Sequence, residues 1–291
     1  MFSLLDKRFT DILVQPARKR NEYSAFCSMV DSADIPEYSK IVFFGDRGYT
    51  SYNNFAHVIE RGQFFLIRCN DKRASGMMGH PVDILPAFDE DISLILTRSK
   101  AITKYSRPEL FSSYRYVYQN APMDYLNDLT TEYDLSLRLL RIQLKDGFYE
   151  NIATNLPRDE FKTEDFEMLY HLRWSEENSF RDLKYSLCLK AFHSKKYAYI
   201  VQEVWARVIL YNFSSSIIIN VTIKREDCAY EYQANYSSAL KTCRDFLRIH
   251  DGTTKINVES LIAQNIEPIR PGRTFARQHR FKLPMSFCYR H

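Results

Sequence analysis

Residues 41–61 read IVFFGDRGYTSYNNFAHVIER, and this stretch decides the fold class. Ile41 to Phe44 form a compact apolar run of the kind that is buried on both faces of a sheet. The run stops at Gly45-Asp46-Arg47-Gly48, and Ser51 to Arg61 then reads as a helix. Strand, turn and helix in that order point to an α/β domain. They also place Asp46 at the carboxyl end of a buried strand, where open α/β sheets bind ligands. Asp is equally suited to begin a turn or to cap the next helix, so position alone leaves both roles open.

On the amino-terminal side, FSLLDKRFTDILVQPARKRNE reads as two short strands and a turn at Pro16. On the other side, FFLIRCN, ISLILTRS, YRYVYQN, LSLRLLRIQL and FYENIATNL are strand-like runs divided by polar or Pro-containing breaks. Together they make a β-rich block between roughly 62 and 160. TEDFEMLYHLRWSEENSFRDLKYSL, residues 163–187, has no Gly or Pro and predicts a helix that Thr163 can cap. Further helices are predicted from about Tyr197 to Ile219 and from about Ser237 to Ile249, followed by an irregular tail with Pro268, Pro271 and Pro284. The β-rich block therefore reads as an insertion into an α/β domain.

Composition narrows the classes. The chain has 291 residues, 45% hydrophobic and 26% charged, as a packed protein does. Its eight Gly include no G-x-G pair, and there is no G-x-x-x-x-G-K-[ST] loop, which excludes the dinucleotide and Walker fingerprints. The six Cys show no C-x-x-C and no zinc-ligand spacing, so reduced structural thiols are expected. MFSLLDKRFTD reaches charge at Asp6, unlike a secretory signal. The apolar run from Val208 to Ile223 is interrupted by Asn212, three serines and Asn220, which argues against a membrane span. The formal charge of +4 is uneven: residues 265–291 hold Arg270, Arg273, Arg277, Arg280, Lys282 and Arg290 against Glu267, a basic end suited to phosphates.

The helix of residues 163–187 carries the most chemistry. Tyr170, Arg173, Glu177 and Lys184 stand at offsets of 0, 3, 7 and 14. At about 100° per residue they share an arc of roughly 60°. Leu169, Leu172, Phe180, Leu183 and Leu187 occupy a neighbouring stripe. A solvated face with spaced ion pairs would look the same. Glu176 projects toward the apolar stripe, which makes Glu177 the better functional candidate.

Tyr-x2-Arg-x3-Glu-x6-Lys, preceded by Asp46-Arg47-Gly48-Tyr49 after a strand, resembles the DDE transposases of bacterial insertion sequences. The likeness is to their branch with the Tyr-Arg-Glu-Lys signature (the IS-four group). The resemblance implies an α/β fold with a ribonuclease-H-like core interrupted by a β-rich insertion and followed by a helical C-terminal part. The corresponding boundaries are 1–61 for the first part of the core, 62–160 for the insertion, 161–222 for the second part and 223–291 for the helical, basic tail. It further implies carboxylates holding Mg²⁺, with Mn²⁺ able to substitute, for phosphoryl transfer. Asp46 corresponds to the second carboxylate and Glu177 to the third, both catalytic and both metal ligands. Tyr170, Arg173, Lys184 and Arg47 would face DNA. The implied partners are double-stranded DNA, both the terminal inverted repeats and the target, and a second copy of the chain on that DNA. No membrane is implied, and the location is the bacterial cytoplasm.

The first carboxylate departs from the family pattern. LLDKRFTDILVQP resembles the family's second and third strands, so the first strand and its Asp are expected to be missing, with Asp6 and Asp11 as the alternatives. The resulting expectation is a chain that is weak or inactive alone. A rival expectation is a non-catalytic DNA-binding or dimerising remnant that interferes with the full-length enzyme. His193, in KAFHSKK, could approach the site or be structural.

Overall fold

The computed structural model describes residues 1–70, 87–100, 113–144, 149–172, 174–223, 230–249, 256–269 and 286–287. Arg173 and the basic residues from Arg270 onward lie outside the described residues. In chain order the elements are β1 (Phe2–Ser3), β2 (Arg8–Phe9), α1 (Glu22–Asp31), β3 (Val42–Gly45), α2 (Tyr52–Glu60), β4 (Phe64–Cys69) and β5 (Phe88–Thr97). There follow β6 (Tyr114–Tyr116), β7 (Glu132–Gln143), β8 (Tyr149–Thr154), α3 (Asp165–Leu172), α4 (Trp174–Tyr185), β9 (Ala191–Phe192) and α5 (Tyr197–Ile218). The chain closes with β10 (Tyr232–Ala234), α6 (Tyr236–Ile249), α7 (Val258–Gln264), β11 (Ile266–Pro268) and β12 (Ser286–Phe287). The fold is mixed α/β, with C-terminal helices, and divides into two compact units: Ala17–His171, and Met1–Pro16 with Leu172–His291.

The unit of residues 17–171 is built on a six-stranded sheet in the order β3-β4-β8-β7-β5-β6. β3 runs parallel to β4 and β5 to β6, while the other neighbours are antiparallel. The β-rich block and the strand before Asp46 thus share one sheet. Phe55 of α2 stacks on Phe65 of β4 with ring centroids 4.4 Å apart, and both are fully buried. Near the start of α3 lies a buried ion pair. Arg138 grips both oxygens of Asp89 at 2.7 and 2.6 Å and donates to the Phe161 carbonyl at 2.7 Å. The Thr163 hydroxyl, expected to cap this helix, also donates to Asp89.

A polar knot centred on the buried His57 ring ties α1, α2 and the loop before β7 together. His57, on α2, bonds Asp31 at 2.8 Å through Nδ1 and Asp124 at 2.9 Å through Nε2. Asn53 completes it, donating to the Asp124 carboxylate at 3.1 Å and accepting from the Asp124 backbone N–H at 2.8 Å. An imidazole that donates from both nitrogens must be protonated. Burial pulls the His57 pKa down, but the two carboxylates outweigh it and hold it above the usual histidine value.

The other unit packs α4, α5, α6 and α7 around Leu183, Leu187, Val208, Tyr211, Leu240 and Ile262. The polar residues that break the apolar run of α5 have a structural task. Asn212 accepts from the Phe9 N–H and donates to the Phe9 carbonyl, both at 2.8 Å, as a neighbouring strand would. Ser215 donates to the Lys7 carbonyl at 2.7 Å, and Lys7 has a left-handed φ of 51° in the hairpin turn. Among the described residues no helix is long and apolar enough to cross a membrane.

The His57 knot sets a pH dependence. Because its folded pKa is raised, its stabilisation is complete below the unfolded value and is lost as pH rises through the folded one. Urea denaturation of the native chain should therefore show stability falling as pH rises above the ordinary histidine value of 6.5. His57→Gln should remove that pH-dependent part, and an identical slope in the variant would show that the knot is not charged.

Candidate active site

Asp46 follows β3 directly, and the backbone there leaves it little freedom. Gly45 pairs with Ile67 of β4. A Cβ on Gly45 would lie 2.9 Å from Ile67 Cγ1, a fully buried side chain, so only glycine permits this approach. Asp46 then caps the single turn Arg47–Tyr49: its Oδ1 accepts from the Arg47 N–H at 2.8 Å. The Asn54 side chain donates to the Tyr49 carbonyl at 2.9 Å, and Thr50 donates to the Arg68 carbonyl at 2.7 Å. The turn is thus pinned to both α2 and β4. Capping and site roles, which sequence position left open, are compatible in one residue.

Arg68 organises the side chains around this turn. Ile152 is its partner on β8, and Glu150 stands two residues further along on the same face, a diagonal that long side chains span. Arg68 holds Glu150 in a bidentate pair through Nε and Nη2, the latter at 3.0 Å. Its remaining nitrogen, Nη1, lies 3.2 Å from Asp46 Oδ1. The guanidinium also rests over the Tyr170 ring, 5.4 Å from the centroid. Arg47 turns to Glu150 at 3.4 Å. Exposure divides the group: the Glu150 and Arg68 side chains are 5% and 16% exposed, whereas Asp46 is 56% exposed.

The expected site residues therefore separate into kinds. Asp46 is an exposed carboxylate, locked in place. Arg47 is half-exposed and spends its charge on Glu150. Tyr170, expected to face DNA, is buried at 5% and lies beneath Arg68, because Phe166 and Leu169 of the same helix belong to the apolar cluster around Leu66 and Leu140. Arg173 falls outside the described residues. In the other unit, Glu177 and Lys184 are exposed on α4, and the Lys184 ammonium lies over the Phe180 ring at 5.8 Å. Glu176 is half-buried, as the spacing predicted.

The stripe expected to pack one face of a single helix serves two cores. Leu169 packs on the sheet-side cluster, whereas Leu183 and Leu187 belong to the helical cluster. Leu172 and Phe180 are exposed at 38% and 40%. Asp182 on α4 is buried; burial pushes its carboxyl up, and the Ser237 hydroxyl donates to it at 3.2 Å. His193 Nδ1 pairs with Glu203 at 3.1 Å, and its backbone N–H donates to the same carboxylate at 2.9 Å, a structural contact.

Arg68 and Glu150 are the residues that sequence reasoning missed. An Arg inside an apolar strand run, FFLIRCN, and a Glu inside another, FYENIATNL, were the available signals. Long charged side chains in such runs are rarely buried unless paired.

Glu150→Ala should cost about 3 kcal/mol, because it removes the two-point partner of a largely covered guanidinium and leaves it only its outer contact with Asp46. Asp46→Asn should cost under about 1 kcal/mol, because that pair is exposed on one side. Urea denaturation of the two variants checks the contrast, and equal costs would mean that Asp46 is structural.

Compared with known proteins, the chain matches the family described as "Transposase DDE domain" over residues 1–213. That span includes Asp46, Arg68, Glu150, Tyr170, Glu177 and Lys184. No curated protein matches the chain.

Proposed function

The chain belongs to the transposase DDE domain family, and on that premise we propose that it serves metal-dependent DNA strand cleavage and transfer at insertion-sequence ends, on a ribonuclease-H-like core. The observation that carries this reading is the Asp46 turn, a solvent-facing carboxylate held rigidly at the end of a strand, upstream of the exposed Glu177. Catalytic groups need such support from residues that do not themselves react.

Divalent cations supply the activation of the attacking oxygen and neutralisation of the leaving one in such chemistry. Asp46 and Glu177 have the hard oxygen donors that Mg²⁺ or Mn²⁺ prefers. The fit is to donor type only. Among the described residues no group of three or more His, Cys, Asp or Glu could hold a metal, and Asp46 already accepts from Arg68. We assign ligand roles to Asp46 and Glu177 from this donor chemistry and propose slow catalysis, because Arg68 occupies an Asp46 oxygen that a cation would need.

The remaining roles follow from exposure. Lys184 is a compact positive charge for a DNA phosphate. Arg47, half-exposed, contacts phosphate only by loosening its hold on Glu150, and Arg173 is assigned to phosphate by its place in the signature. Tyr170 acts from beneath, as the surface on which Arg68 rests. The contact of Arg68 with Asp46 also favours a second reading, a non-catalytic DNA-binding or dimerising relative that interferes with an active transposase.

Duplex DNA carrying the repeats that flank the chain's own gene distinguishes the readings. Slow nicking in Mg²⁺ or Mn²⁺, lost in Asp46→Asn and in Glu177→Gln, is the expected result. Lys184→Ala should weaken DNA binding and reduce the salt slope of log K by about 1. Nicking that survives Asp46→Asn would contradict the site, and binding with no nicking would establish the second reading.

A further inference from the structure

We propose that Arg68 is a resident counter-ion for Asp46, a positioning residue that holds the carboxylate in place and must give up that contact before a divalent cation can bind there. The inference rests on the assignment of Asp46 as a metal ligand and goes beyond it to what controls its availability.

The geometry is specific. Arg68 has three nitrogens, and two are committed to Glu150 in a nearly dry pair on adjacent strands. The third reaches the Oδ1 of Asp46 that also caps the turn. The guanidinium plane is supported by Tyr170, and the Arg68 carbonyl is tied to the turn through Thr50. Arg68 is therefore anchored independently of Asp46. Of its contacts, the one to Asp46 is the most exposed and the easiest to surrender, whereas that to Glu150 is the hardest.

A cation entering at Asp46 meets a fixed positive charge about one hydrogen bond away. It must displace Nη1 from Oδ1 and then sit beside the guanidinium that it displaced, so the contact lowers cation affinity in proportion to its strength. Glu150 limits the repulsion by retaining Arg68 once the contact opens. The Arg68–Glu150 pair thus works as a latch whose outer point closes on Asp46.

The test uses the full chain and Mn²⁺ alone, with binding read from the electron paramagnetic resonance signal of the free ion. Arg68→Gln combined with Glu150→Gln removes both members of the buried pair and leaves the net charge unchanged. This double variant should bind Mn²⁺ about tenfold more tightly than the native chain. Equal or weaker binding overturns the proposal. Asp46→Asn tests the underlying assignment separately: if it leaves native Mn²⁺ binding unchanged, Asp46 is no ligand. If Asp46→Asn abolishes binding while the double variant matches the native chain, only the role of Arg68 fails.

The native chain gives a second readout that needs no rearranged core. The Arg68 Nε–H resonance, identified by its loss in Arg68→Lys, should shift on addition of Mg²⁺ in the native chain and stay fixed in Asp46→Asn. A resonance unmoved in the native chain, at ion levels that saturate Mn²⁺ binding, overturns the proposal.

Discussion

Glu150 is a carboxylate taken almost entirely out of water, and it can stay there charged only against a cation. Arg68 is that cation, and the two-point geometry of the pair fixes the guanidinium in both position and plane. Much else near the strand end depends on this constraint. The Asp46 carboxylate is steadied by the third nitrogen, Tyr170 fills the space beneath, and Arg47 is drawn to the same Glu150. The pair does little for stability compared with an apolar core of similar volume. What it supplies is orientation, on two strands that are themselves held in register by backbone bonds.

Each unit presents one carboxylate of the proposed chemistry on a scaffold of its own. Asp46 stands on a six-stranded sheet with Gly45, Asn54 and Thr50 fixing its turn. Glu177 stands on α4, whose other side buries Leu183 and Leu187 among the C-terminal helices. Polar knots recur in both units and do similar mechanical work. Asp31–His57–Asp124 joins two helices to a loop, Arg138–Asp89 fastens the approach to α3, and Asn212 binds the β1–β2 hairpin to α5. Membership of the transposase DDE domain family gives these supports a purpose, since phosphoryl transfer depends on groups placed with precision before the substrate arrives.

Much of the fold could be read from the sequence because the signals were local. The apolar run before Gly45, the helix from Ser51 and the strand-like runs between 62 and 160 are bounded by their own turn residues and correspond to β3, α2, β4, β5, β6, β7 and β8. The periodicity of the signature segment was equally clear, but a stripe of leucines does not say how many cores it serves. Leu169 and Leu183 proved to belong to different clusters. Tyr170 shows a related limit: a shared helical arc does not say which of its members is covered, and Tyr170 is buried. The Arg68–Glu150–Asp46 group was not legible, because its members lie up to 104 positions apart and meet only through the pairing of β3, β4 and β8. Pairing over such distances is set by the whole sheet.

The central claim is that Asp46 is a cation ligand held closed by Arg68. Anomalous scattering from crystals of the full chain soaked in Mn²⁺ tests it most directly. The account predicts an anomalous peak at the Asp46 carboxylate, with Nη1 of Arg68 withdrawn from Oδ1 and the bidentate pair with Glu150 intact. A peak at Asp46 with the 3.2 Å contact unchanged, or ordered Mn²⁺ elsewhere with none at Asp46, would contradict it.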